Sequence, residues 1–185
     1  MTERKSWLKR RYGFDTIPSN MGLKKLNKIF LNALSKRKVS VLKTIIRAFP
    51  DFHHDKSMSI TSEIVCHFPE FLETAFELGL HPDSGRQSFL CLVYSDPEAI
   101  RLGLKYGANI EGRNEDGEVA LGYACAWGHF DSVKLLLESG ANINVMEGKE
   151  HLSTPLDAAS NNKEIYDYMR CKGAKHYKEI REEEG

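Results

Sequence analysis

The residues best equipped for chemistry are the two adjacent histidines of "FHHD", Phe52 to Asp55, and the neighbouring pair Cys66 and His67. Imidazole and thiolate are ligands of zinc, and a histidine beside an aspartate can move protons. A zinc site built from Cys66, His67 and "FHHD" would need paired-ligand spacings of the C-x2–4-C kind, which the chain lacks. The four cysteines, Cys66, Cys91, Cys125 and Cys171, form no C-x-x-C unit, and three of them stand inside apolar helical pattern. Buried, reduced thiols are the simplest reading. The chain also lacks a nucleophile elbow, a phosphate-binding glycine loop, an H-E-x-x-H pair and the kinase motifs. These residues therefore yield no catalytic group, no metal ligand and no cofactor, and point away from an enzyme.

What positions the side chains is a repeat. The stretch "GHFDSVKLLLESGANIN", Gly128 to Asn144, has counterparts in "DPEAIRLGLKYGANIE", Asp96 to Glu111, and "NKEIYDYMRCKGAKHY", Asn162 to Tyr177. Gly107, Gly140 and Gly173 are spaced by 33 residues, as are the acids Glu98, Asp131 and Glu164. A fixed period of this length marks stacked supersecondary units.

In the best copy an outer helix is predicted from Phe130, with Phe130, Val133, Leu136 and Leu137 on one face. Asp131 suits its first turn, and Gly140 suits a left-handed end. Before it, Val119 to Trp127 reads as a short inner helix of small residues, the layer buried between units. Asp116-Gly117 is a turn signal within "ANIEGRNEDGE" and suggests a projecting, hairpin-like finger. In the last copy Thr154 is the expected N-cap and Pro155 the first helical residue. Asp96-Pro97 and Phe68-Pro69 place proline at the start of an outer helix instead. The last copy is expected to lose two residues from its inner helix and to gain two in the finger "VMEGKEHLS".

These residues resemble the ankyrin repeat family. The pattern D-G-x-T-P-L-H-x-A-A-x-x-G-H, then L-L-L-x-x-G-A and D-x-N, is met at Asp116, Gly117, Leu121, Ala124, Gly128, His129, Val133, Leu135, Leu136, Gly140, Ala141 and Asn144. Val119, Ala120 and Gly122 depart from T-P-L-H, whereas the last copy keeps Thr154-Pro155-Leu156 with Asp157 in the histidine's place. The resemblance implies an all-α ankyrin-repeat solenoid of helix-turn-helix units with short β-hairpin-like finger loops. His129 falls on the family's turn position, which gives it a structural reading. Residues 86–175 match best, and a more divergent start extends the repeat domain to 26–175, about five copies. Residues 1–25 are expected as a basic extension or cap and 176–185 as an acidic tail.

Charge is distributed unevenly along the chain. Lys plus Arg equal Asp plus Glu at 26 each, yet residues 1–50 hold 13 bases against 2 acids. In an elongated stack that asymmetry would make a long dipole. No apolar run approaches the length of a membrane span, and a cytoplasmic protein is expected. The basic segment admits three readings: phosphate contact with nucleic acid, contact with an anionic membrane, or solvated helix faces.

The resemblance implies that fingers and exposed inner-helix positions form a concave partner surface. Here those positions present Tyr94, Arg113, Glu115, Asp116, Glu118, Trp127, Asn161 and Asn162. Trp127 occupies a place the family usually fills with a polar residue; it is either an interface anchor, worth about 2 kcal/mol on truncation, or packs on a neighbouring finger. The expected activity is non-enzymatic binding of a basic protein partner by a chain taken as monomeric. Covering the cleft of a nuclease-like toxin, as an immunity protein does, is one form of it. The alternative is an adaptor that docks through its basic half.

Overall fold

A computed structural model describes residues 22–48, 60–84, 87–149 and 152–184; the "FHHD" motif and residues 1–21 lie outside it. The chain divides into two compact units, 1–85 and 86–185.

The first unit contains α1 (Leu23–Ser35), α2 (Val39–Ala48), α3 (Ile60–His67), a 3-10 turn (Pro69–Phe71) and α4 (Leu72–Glu77). Leu26, Ile29, Phe30, Ala33 and Leu34 of α1 recur at helical spacing and are at most 1% exposed. They pack against α2, whose Val41, Leu42 and Ile45 are also buried. The turn between these helices carries a left-handed residue, Arg37, at φ 49°. Arg37 N–H donates to Leu34 O and Lys38 N–H to Ala33 O, both at 2.8 Å, which is the Schellman helix stop.

The second unit contains three helix pairs. These are α5 (Phe89–Leu92) with α6 (Pro97–Lys105), α7 (Ala120–Ala126) with α8 (Phe130–Glu138), and α9 (Pro155–Ala158), extended by a 3-10 turn (Ala159–Asn161), with α10 (Lys163–Cys171). The same stop recurs at Gly107, Gly140 and Gly173, each at positive φ. Gly128 ends α7 by the same pair of bonds, from Gly128 N–H to Cys125 O and His129 N–H to Ala124 O. Arg37 thus does for α1 what Gly128 does for α7.

The inner helix α7 buries Ala120, Leu121, Gly122, Ala124 and Cys125, in keeping with its small residues. On α8 the buried set is Ser132, Val133, Leu135 and Leu136, while Phe130 and Leu137 are half-buried. The face is wider than a single stripe because α6 and α10 flank this helix on both sides. The predicted cap at Thr154 is present, and Asp96, before the predicted proline start, caps its helix as well. Asp96 accepts the N–H groups of Glu98 and Ala99, and Thr154 forms a capping box with Asp157. The two residues missing from the last copy fall in the turn and not in the inner helix, so Asn162 alone separates the 3-10 turn from α10. Each finger is reduced to one bridge, Arg113 with Val119 and Glu147 with Ser153.

Two further points differ from the sequence reading. Cys91 and Cys125 are buried, but Cys66 and Cys171 are exposed, each lying in the last turn of its helix. The acidic tail is a helix, α11 (Tyr177–Glu184), which buries none of its residues and is held by ion pairs from Arg170 to Glu179 and from Lys175 to Glu183. Among the described residues no helix is long and apolar enough to cross a membrane, and no group of three His, Cys, Asp or Glu side chains could hold a metal ion.

Candidate functional site

One position in the first turn of each inner helix, held by Cys91, Gly122 and Asp157 in turn, meets the segment that follows the next outer helix. At the first junction the Cys91 thiol lies 3.5 Å from the carbonyls of Gly112 and Glu118. At the second, the missing side chain of Gly122 leaves room for a carboxylate from the next finger. A Cβ on Gly122 would come within 2.1 Å of Glu147 Oε1. Glu147 is only 3% exposed, and its Oε2 accepts the Val119 N–H at 3.1 Å. Burial pushes the Glu147 carboxyl up to about 7, although the Val119 bond pulls it down. Burial, aided by Glu147, likewise pushes the Cys125 thiol up to about 12.

At the third junction Asp157 Oδ2 accepts the N–H groups of Thr154 at 2.9 Å and Tyr177 at 3.0 Å. Its Oδ1 lies 2.6 Å from His176 Nδ1, and His176 Nε2 lies 3.0 Å from the Tyr166 hydroxyl. Burial alone would raise the Asp157 carboxyl, but these hydrogen bonds outweigh it and hold it below the usual range. The Asp-His-Tyr line has the spacing of a proton relay. Because the same carboxylate fastens the backbone of the inner helix to that of the next segment, it acts as a strut.

A different set of side chains faces solvent. Asn114 organises the central finger: its Oδ1 accepts the N–H groups of Asp116 and Glu118, both at 2.9 Å. Its Nδ2 donates to Glu118 Oε2 at 3.0 Å and to the Tyr123 hydroxyl at 2.9 Å. The hydrogen bond to Glu118, with burial second, pushes the Tyr123 phenol up to about 12. Tyr123 stacks on Tyr94 of the preceding copy at 5.1 Å between ring centroids, and His129 meets Tyr94 edge-on at 5.5 Å. A continuous line of contacts therefore runs from the acidic finger through Tyr123 and Tyr94 to His129. Trp127 stands between them in sequence at the C-terminal end of α7 and is 67% exposed, so it is not covered by a finger.

The residues expected from sequence separate into two groups. Glu115 and Asp116 at the fingertip, Trp127 and Asn161 are exposed, and Tyr94 and Glu118 are half-buried beside them. Arg113, exposed, and Asn162, half-buried, also hold the fold together. Arg113 donates to Gly117 O at 2.6 Å and to Met146 O at 2.9 Å, tying two fingers together. Asn162 caps α10 through the Ile165 N–H at 3.1 Å. Sequence reasoning missed Tyr123 as a partner of Tyr94. Its spacing of one helical turn from Trp127 was the available signal.

Comparison with known proteins bears on the second unit. The family model described as ankyrin repeats, in three copies, matches residues 88–179. An ankyrin repeat protein of Acanthamoeba polyphaga mimivirus is 34% identical over 58 residues, which are 31% of this chain and 8% of that protein. The matched segment thus spans only a small part of the relative's length.

Proposed function

Residues 88–179 are ankyrin repeats, and we propose that they dock a basic segment of a partner protein on the aromatic line and acidic finger of the central copy. The observation that carries this reading is Trp127, 67% exposed and one helical turn after Tyr123, whose ring stacks on Tyr94, which in turn meets His129. A large apolar ring left in water on a well-packed scaffold is poised to gain by burial, and tryptophan is enriched among interface anchors. Glu115, Asp116 and Glu118 supply the acidic rim, which would steer a Lys- or Arg-rich surface toward the ring. The sharpest form of the proposal is inhibition, in which the partner is a basic nucleic-acid enzyme whose cleft the finger covers, as an immunity protein would. The repeated helix stop at Arg37 and at Gly79 supports reading the first unit as two divergent copies of the same repeat.

Affinity capture from nuclease-treated native lysate, at low and high salt, tests the reading with wild type beside Trp127→Ala. One stoichiometric protein recovered by wild type and lost with Trp127→Ala is the expected result. A capture that ignores Trp127 would overturn it.

A further inference from the structure

Residues 22–48 carry eight Lys and Arg and not one Asp or Glu. On α1 the positions 25, 28, 32 and 36 follow one another at three- and four-residue spacing, so Lys25, Lys28, Asn32 and Lys36 form a stripe along the helix. Leu26, Ile29, Phe30, Ala33 and Leu34 occupy the buried face, which leaves the three exposed lysines of the stripe turned away from the core. The stripe ends in the turn Lys36-Arg37-Lys38, where Lys36 and Arg37 are exposed and Lys38 is half-buried. Glu70 lies 3.5 Å from Arg37, with both side chains well exposed, so this pair neutralises little of the stripe.

We propose that this stripe and turn bind the phosphate backbone of a nucleic acid duplex without reading its sequence. From Lys25 to Lys36 the helix spans roughly 16 Å at 1.5 Å per residue. A duplex carries one phosphate charge per about 1.7 Å of its axis, both strands counted, so a cationic stripe of that length lies within reach of several phosphates. The stripe offers cations but no aromatic side chain to stack on bases, so the contact is electrostatic. An anionic membrane suits it less. Membrane-surface helices insert an apolar face, whereas Leu26, Ile29, Phe30, Val41, Leu42 and Ile45 are buried within the unit, and no large apolar side chain is exposed among those described there. A protein partner suits it less too, because the stripe lacks an anchor that burial could reward. The proposal is independent of the docking face around Trp127.

The test is fluorescence anisotropy of the full chain with two labelled DNA duplexes of unrelated sequence, each about 20 base pairs, at about 50 and 200 mM salt. Both duplexes should bind alike. Affinity should fall roughly 50- to 150-fold over that salt range, as three or four phosphate contacts require. Lys28→Glu with Lys36→Glu should weaken low-salt binding at least tenfold, and Lys28→Gln with Lys36→Gln by less. Lys163→Glu with Lys172→Glu, a control of equal charge change in the second unit, should leave it unchanged. Thermal melts establish that each variant is folded. Absence of saturable binding at low salt, binding indifferent to the α1 reversals, equal loss in the control, or binding to phosphatidylserine vesicles but not to duplexes would each overturn the proposal.

Discussion

Glu147 is a carboxylate in a place water scarcely reaches, against a glycine in the neighbouring copy, and its protonation is coupled to folding. Its carboxyl rises from 4.5 to about 7 on folding, so the folded chain keeps a proton that the unfolded chain has lost between those values. The stability this group contributes is therefore complete below about pH 4.5 and is lost as pH rises through about 7, by on the order of 3 kcal/mol. Glu147→Gln removes the titration while keeping an oxygen for Val119 N–H. Urea denaturation at pH 5 and 8 should show wild type weakening relative to the variant by that order. Parallel behaviour of the two would contradict the assignment. Arg37 makes a second case: an L side chain at φ 49° costs about 1 kcal/mol that glycine avoids. Arg37→Gly should raise stability by about that amount in the same assay, since the exposed pair with Glu70 offsets little. Neither feature is visible locally, because a Lys-Arg-Lys run gives no signal for a left-handed residue and Gly122 gives none for the carboxylate beside it.

At the scale of elements, the outer helices and their stops were legible, since a glycine at a helix end, Asp before Pro, and Thr before Pro each act through their own backbone. The inner helices were legible by composition but not in length: the last copy saves its two residues in the turn, where Asn162 alone stands in place of Trp127, Gly128 and His129. The helix α11 was not legible, because it owes its place to partners outside itself. It buries no residue and is held by Arg170, Lys175 and the Tyr177 N–H on Asp157. Exposed ion pairs contribute little each and are screened by salt. Amide exchange of residues 177–184 should therefore quicken about fivefold on raising salt to about 1 M, a change of ~1 kcal/mol in local opening. The amides of α8, protected by apolar packing, should not change. Equal acceleration of both helices would show that α11 opens only with the whole unit.

Across the whole molecule the charge is divided between the units: residues 1–85 hold 14 Lys and Arg against 9 Asp and Glu, and residues 86–185 hold 12 against 17. The two proposed surfaces follow that division, one basic and without an apolar anchor, the other with an acidic finger and an exposed indole. Because Trp127 is 67% exposed, Trp127→Ala should change the thermal midpoint by no more than surface substitutions do, within about 0.5 kcal/mol. Its partner affinity should nonetheless fall by about 2 kcal/mol, read by calorimetry on the captured protein. A comparable loss of stability would mean that Trp127 supports the fold instead. Combined with the α1 reversals, the Trp127 variant should lose both binding activities independently.

By itself the sequence determined the period, the helix pairs of the second unit, their caps and their glycine stops. All of these are set by backbone conformation within a few residues of the signal. It also marked Trp127, because a large ring at a usually polar position is anomalous wherever its neighbours lie. Only the tertiary structure decided what the polar side chains do. Arg113 and Asn162, which look like contact residues in a linear reading, spend their hydrogen bonds on fold carbonyls and a helix end. Glu147, an ordinary finger acid in sequence, is buried because the preceding copy has a glycine, Gly122, where its carboxylate must go. Stacking creates those environments across about one repeat length, and no local pattern encodes which neighbour a side chain will find there.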